Sequence, residues 1–349
     1  MSNNNIRNML RVLLIVGSLA SLFFVPWILV KAWILPLPKT IDEQISQSIN
    51  HGFEGMIVYV DEAGKQPVTY TGGFKNRDQQ VPTDPDALFK IASISKLYDA
   101  VAVTKLVAQG RLSLDKTLAE YLPELVGAIE HAETITLRLM IQHRSGIPNF
   151  TDTPDFWAHP TTTFEESLAL IEGKPANFKP GKKYEYCNTN YLLINKIMDD
   201  VLGYDNFEFV KKEILEPLNL NRTFGSLKQV DSTDVMSGYH VGYPHDLKGN
   251  DYGMLATAAD VGVFLRTLND GSLFNPGETE IYDSIYKYEH SGWVPGYQSF
   301  AHYYEEIDTV VVSFYSTTDP KLLYWNLSEI INKRIFKILK KKSQTHRNN

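Results

Sequence analysis

The stretch Phe89-Lys-Ile-Ala-Ser-Ile-Ser-Lys96 decides how this chain folds. Ser93 stands where an apolar run gives way to a helical pattern. Leu97, Val101, Thr104 and Ala108 recur at helical spacing, and Gly110 closes the segment, so a helix is expected from Ser93 to Gln109. At a helix start the backbone N–H groups are free and the dipole is positive, which stabilises an attacking oxygen or an oxyanion. Residues three apart share a helix face, so Ser-x-x-Lys sets an amine beside a hydroxyl. A serine nucleophile needs a base, and a lysine in a suitable setting can serve. Ile91, Ala92, Ile94 and Leu97 surround Lys96 with apolar sequence, and desolvation disfavours the charged form of an amine.

The pattern itself is not rare. Ser113-Leu-Asp-Lys116 and Ser284-Ile-Tyr-Lys287 repeat it. Ser113 lies in a polar turn after Gly110, where its lysine would be solvated. Ser284 lies in a strand-like stretch, where residues three apart point to opposite faces. Context therefore selects Ser93 as nucleophile and Lys96 as its base.

Working outward, Gly55-Met-Ile-Val-Tyr-Val60 reads as a buried strand. Asp61-Glu-Ala-Gly64 reads as a turn, and Val68-Thr-Tyr-Thr71 as the returning strand of a hairpin. Ile41, Ile45 and Ile49 have helical spacing. Residues 112–254 are helical and loop-rich, punctuated by Pro123, Gly146-Ile-Pro148, Pro180-Gly181 and Pro217. Thr257 caps a further helix through Val261, Phe264, Leu265 and Leu268. Strands are expected at Ile281–His290, Gln298–Tyr304 and Thr309–Tyr315, and a helix over Lys321–Lys342. The fold class is α/β in composition and α+β in arrangement: an antiparallel sheet flanked by helices, with an inserted, mostly helical lobe. Residues 1–40 form an N-terminal anchor and joint, and 41–345 the main domain. Its sheet lobe covers about 41–92 and 255–345, its helical lobe about 93–254.

Two further patterns supply chemistry. In Tyr186-Cys-Asn188 a phenol can relay protons and an amide can orient substrate and lysine. The same pattern at Tyr204-Asp-Asn206 and Tyr324-Trp-Asn326 falls at a helix end and inside the terminal helix. The first copy follows Pro180-Gly181 on a loop at a helix entrance, a usual home for functional side chains. The other element is His290-Ser-Gly292, before Trp293-Val-Pro-Gly296. A cation on an edge strand there would hold a carboxylate, and the glycine lets another backbone approach. His240-Val-Gly242 lies in a looser Gly- and Pro-rich loop. His143 is expected to brace the helical lobe, and the side chain of Cys187 to point away from the cleft.

These blocks together resemble the serine β-lactamase and penicillin-binding protein family, in its class C and DD-peptidase branch. Phe89–Lys96 resembles the nucleophile motif. Pro180-Gly-Lys-Lys-Tyr-Glu-Tyr-Cys-Asn-Thr-Asn-Tyr191 resembles the Tyr-x-Asn segment. His290-Ser-Gly292 is similar to the histidine form of the Lys-Thr-Gly motif. Leu139-Met-Ile-Gln-His-Arg-Ser-Gly-Ile-Pro148 and Gly253-Met-Leu-Ala-Thr-Ala-Ala-Asp260 resemble structural signatures of the same branch. The resemblance implies an acyl-enzyme on Ser93, with Lys96 and Tyr186 sharing base and acid roles. Asn188 would orient Lys96 and the substrate amide. The N–H groups of Ser93 and Trp293 would form an oxyanion hole, usually worth several kcal/mol. His290 and Gly292 would line the substrate site. Histidine in place of lysine favours a D-Ala-D-Ala carboxypeptidase, D-amino-acid peptidase or esterase over a β-lactamase. A penicillin-binding or sensory protein with slow turnover is the alternative of another class.

The rest of the sequence bounds these readings. The chain has 349 residues, 43% hydrophobic and 21% charged, with a net charge of −7. No basic surface dominates, which argues against nucleic acid as partner. A single cysteine, Cys187, excludes an internal disulfide and a thiolate-rich metal site. No metal or cofactor is called for. The partner is a small-molecule or peptidoglycan-peptide substrate. Between Arg11 and Lys31 runs an uncharged stretch, Val12 to Val30, long enough for a transmembrane helix, with Trp27 and Trp33 near its end. Arg7 and Arg11 favour N-terminus inside, which places the catalytic domain in the periplasm or outside the cell. A cleaved signal peptide is the rival, with Ser18-Leu-Ala20 as a cleavage-like triplet.

Overall fold

The computed structural model describes residues 3–347. Its centre is a six-stranded antiparallel sheet. The strands are β1 (Gly55–Glu62), β2 (Val68–Asn76), β3 (Val81–Pro82), β4 (His290–Val294), β5 (Tyr297–Tyr304) and β6 (Thr309–Tyr315), in spatial order β3-β2-β1-β6-β5-β4. The N-terminal hairpin thus joins the late strands, with Ile57 opposite Phe314 and Gly292 opposite Ser299.

Strand periodicity sends alternate side chains to two cores. Ile57, Tyr59, Val310, Val312 and Phe314 face the larger core, shared with the helical lobe. Met56, Val58, Val60, Val311 and Tyr315 face the other, built from the N-terminal and C-terminal helices. Both faces of β1 are covered, which explains its unbroken apolar run.

The helices that matter here are α1 (Asn3–Ser21), α2 (Trp27–Ile34), α3 (Ile41–Asn50), α4 (Ser95–Ala108), α5 (Asn188–Leu202), α6 (Ala258–Asn269), α7 (Glu278–Asp283) and α8 (Leu323–Arg347). Helix α4 is buried around almost its whole circumference. Its Lys105 is neutralised there by Glu278, 3.1 Å away. The Thr257 hydroxyl caps α6 by accepting from the Asp260 N–H. α6 lies so close to the sheet that a Cβ on Gly262 would come within 2.1 Å of the Tyr59 ring.

Three expectations change. The helix expected from Ser93 begins as a 3₁₀ turn, Ala92–Ile94, and becomes α-helical only at Ser95. The strand expected at Ile281–His290 is mostly not one. Residues 278–283 form α7 and β4 starts at His290. Glu278 is anchored by Lys105 and by the Asn275 N–H, and the buried Tyr282 donates its hydroxyl to Lys287 O, 2.7 Å. These tertiary contacts override the β-branched and aromatic composition. The apolar N-terminal run is also divided. Pro26 has no N–H to continue the ladder, and α1 ends before it. Arg7–Phe24 is long and apolar enough to cross a membrane and is unburied. α2 instead packs Ile28, Leu29 and Ala32 against α8. Arg334 of α8 holds the joint, donating to Leu35 O and Pro36 O at 2.8 Å each.

Candidate active site

Ser93 sits on the 3₁₀ turn at the boundary between sheet and helical lobe. Ala92 before it has φ +49°, a left-handed conformation unusual for a residue with a side chain. The edge strand β4 crosses this turn closely. A Cβ at Gly292 would lie 2.5 Å from Ile91 O and 2.9 Å from the Ala92 Cβ, so only glycine fits. The Ser299 hydroxyl donates to Ile91 O at 2.7 Å and fixes the turn from the neighbouring strand. As an edge strand, β4 keeps one row of backbone groups unpaired.

One helical turn on, Lys96 Nζ is hydrogen-bonded to Ser93 Oγ at 3.1 Å and to Asn188 Oδ1 at 3.0 Å. Lys96 is only 7% exposed. Its Nζ lies 5.3 Å from the Tyr186 ring centroid and 5.2 Å from that of Tyr191. Asn188 opens α5, and its amide is oriented by donating Nδ2–H to Thr151 Oγ1, 3.0 Å. Its own N–H is accepted by Asn149 Oδ1, also 3.0 Å. The loop after Pro148 therefore holds the helix entrance that carries Asn188.

His290 opens β4 with its ring 6.2 Å from that of Tyr186. It is not the cation that the sequence suggested. Burial, with Lys287 and Lys96 nearby, holds its pKa well below the usual histidine range. The ring is neutral, and Nδ1–H donates to Ser291 O at 2.5 Å. Trp293 stands three residues after His290, edge-to-face with Trp157 at 5.6 Å.

Ser93, Lys96, Tyr186, Asn188, His290 and Trp293 line one cleft of about 960 Å³. Gly292 lies under it. The competing patterns, Lys287 apart, lie elsewhere. Ser113 lies outside the cleft, and its backbone N–H donates to the Tyr121 hydroxyl. Ser284 Oγ is spent on Ile281 O. Asn206 is bound to Asp199, and Tyr324 packs against Phe53. His240 is buried in a short parallel pairing, bonded to Thr318 Oγ1, so its loop is more ordered than its composition suggests. Cys187 turns away from the cleft, its thiol donating to Ile147 O at 3.3 Å.

Sequence reasoning missed four features. Asn149 and Thr151 orient Asn188 from beyond the His143–Pro148 signature. Phe150, Phe156, Trp157, Phe164 and Tyr252 make the cleft wall strongly aromatic. Lys287, dismissed with Ser284, lines the cleft. Asp99 is buried one turn beyond Lys96, and burial pushes its carboxyl up to about 7 against the opposing pull of Lys96.

The β-lactamase family profile matches residues 37–284, more than half of the chain. The chain belongs to this family of serine hydrolases. Among curated family members it is 26% identical over 202 residues to Protein flp of Staphylococcus aureus (strain N315), covering 56% of this chain and 40% of that protein. It is 24% identical over 218 residues to Penicillin-binding protein 4* of Bacillus subtilis (strain 168), covering 61% and 46%. The matches thus span less than half the length of these relatives. Among solved structures, the D-amino acid amidase of Ochrobactrum anthropi SV3 superposes with a TM-score of 0.76 at 19% identity, over 86% of this chain and 98% of that one. At that identity the likeness speaks for the fold.

Proposed function

We propose that this family member cleaves an amide or ester through an acyl-enzyme on Ser93. The carrying observation is the Lys96 amine, bonded at once to Ser93 Oγ and Asn188 Oδ1. In this reading Lys96 accepts the serine proton as the hydroxyl attacks the carbonyl. Tyr186 passes a proton to the leaving group, and the two reverse roles when water attacks the acyl-enzyme. The N–H groups of Ser93 and Trp293 stabilise the oxyanion. The close approach of β4 at Gly292 supports their convergence.

For substrate, we favour a D-amino-acid peptide, amide or ester carrying apolar or aromatic groups. The aromatic cleft wall supports this preference. So does one of its structural neighbours, a D-amino acid amidase. Efficient β-lactamase action is disfavoured, because neutral His290 offers no charge to the carboxylate of a β-lactam. We further read Arg7–Phe24 as a membrane anchor, supported by its length and unburied apolar surface.

The decisive experiment is covalent labelling. A fluorophosphonate or fluorescent penicillin is expected to modify Ser93, and Ser93→Ala to abolish labelling. Label on Ser113 or Ser284, or none at all, would sink the mechanism. Rates on a D-Ala-D-Ala peptide, a D-amino acid amide, nitrocefin and a p-nitrophenyl ester then rank the substrate classes.

A further inference from the structure

His143 touches Tyr186 more intimately than a distant brace would. Three contacts bracket the tyrosine. The His143 carbonyl accepts the N–H of Glu185 at 2.9 Å. Its ring Nδ1 accepts the N–H of Cys187 at 3.1 Å. Between these two anchors, the imidazole stacks on the Tyr186 ring, with centroids 4.4 Å apart and planes at 28°. Each residue flanking Tyr186 is thus pinned by His143, and the tyrosine ring itself lies on its face.

The arrangement is unfavourable for His143 itself. Its backbone has φ +55°, a region few residues other than glycine adopt. Because Nδ1 accepts, the neutral ring carries its proton on Nε2, and that buried nitrogen has no hydrogen-bond partner among the described residues. Burial beside Lys96 and Lys287 pushes the ring's pKa down to about 3, so Nδ1 stays an acceptor through the neutral range. Backbone strain and an unpaired buried donor persist where the surroundings require them, and such sites cluster around function.

We infer that His143 is a positioning residue for Tyr186, fixing the phenol relative to Lys96 through the stacked ring and the paired N–H acceptors on either side. This inference rests on the reading of Tyr186 as a proton-transfer group. It assigns His143 no contact with substrate.

The test is a double-mutant cycle. His143→Asn suits the left-handed backbone and offers a carbonyl oxygen to Cys187, but has no ring to stack. His143→Phe keeps a ring and loses the acceptor. Both are measured alone and in a Tyr186→Phe background. Turnover is counted per Ser93 labelled to completion with fluorophosphonate, so unfolded protein does not enter the rate. Each His143 variant is expected to lower kcat about tenfold, or about 1.4 kcal/mol of barrier, with KM changed less than about twofold. In the Tyr186→Phe background the same substitutions are expected to have almost no further effect, because a residue acting through Tyr186 has nothing left to act on. An equal loss in both backgrounds, or unchanged kcat per labelled site, overturns the inference and leaves His143 as a brace. If Tyr186→Phe keeps full kcat, the role of Tyr186 fails first and the inference with it. An impaired Tyr186→Phe with additive His143 effects sinks the inference alone.

Discussion

Ser-x-x-Lys occurs at Ser93–Lys96 and again at Ser284–Lys287, and the fold treats the two in opposite ways. At the first, a 3₁₀ turn leads into a buried helix, and hydroxyl and amine meet at 3.1 Å. At the second, the serine ends a short helix. Its hydroxyl donates back to Ile281 O and accepts from Arg138, while Lys287 reaches outward to the cleft mouth. Three residues beyond each lysine stands a buried titratable group, Asp99 in one case and His290 in the other. Burial drives both toward their neutral forms. The lesson is that the spacing only permits an encounter. The turn before the serine and the burial of the lysine decide whether it happens.

Substituting the two serines breaks the comparison most sharply. Ser93→Ala is expected to lower kcat/KM by on the order of 10⁴-fold or more, because the covalent route disappears. Ser284→Ala, at an exposed position, is expected to stay within about twofold. Steady-state rates on one ester substrate check both. Comparable losses in the two variants would show that the second pattern also takes part.

Asp99 and its neighbour Lys96 give the next largest effect, on stability. Folding raises the Asp99 carboxyl from 3.8 to about 7. Between those values the folded chain keeps a proton that the unfolded chain has lost. Stability is therefore lost as pH rises from about 4 to 7, and the full penalty applies above 7. At ~1.4 kcal/mol per pKa unit, this shift corresponds to on the order of 4 kcal/mol. Asp99→Asn mimics the protonated group. It is expected to raise the unfolding free energy at pH 8 and to leave it nearly unchanged at pH 4, measured by urea denaturation. A gain of equal size at both pH values would rule out titration of Asp99 as the cause.

The contrast also explains what the sequence could reveal. Ser93, Lys96, Tyr186 and Asn188 are legible because each is tied to a local signal, a helix entrance next to an apolar segment or a Pro-Gly turn. β1, β2, β5 and β6 are legible because their runs are short, rich in β-branched or aromatic residues and bounded by turn residues. The 278–283 helix was not, because its stability comes from Lys105 and from a buried tyrosine, partners far away or masked by a β-like composition. How strongly His290 is held in its neutral form is hidden for a similar reason. A sequence shows the imidazole but not the lysines and the burial around it. Asn149, Thr151 and the aromatic wall come from loops, where no periodicity announces which way a side chain turns.

The smallest expected effect belongs to the lysine that the second pattern leaves over. Lys287 is exposed at the cleft mouth, and both His290 and Tyr186 line the recess it borders. Neutral His290 cannot draw in an anion, so any charge attraction for a substrate carboxylate at this end of the cleft falls to Lys287. An exposed ion pair contributes roughly 0.2–1 kcal/mol, which sets a ceiling of about fivefold. Lys287→Met is therefore expected to raise KM about two- to fivefold for a peptide with a free C-terminal carboxylate, and to leave KM for the matching C-terminal amide unchanged. The difference should shrink as salt is raised, since an exposed pair is screened. A loss shared by both substrates would mean that Lys287 shapes the cleft rather than reading charge. No change with either would place the leaving group beyond its reach, and would turn the substrate preference toward neutral amides and esters.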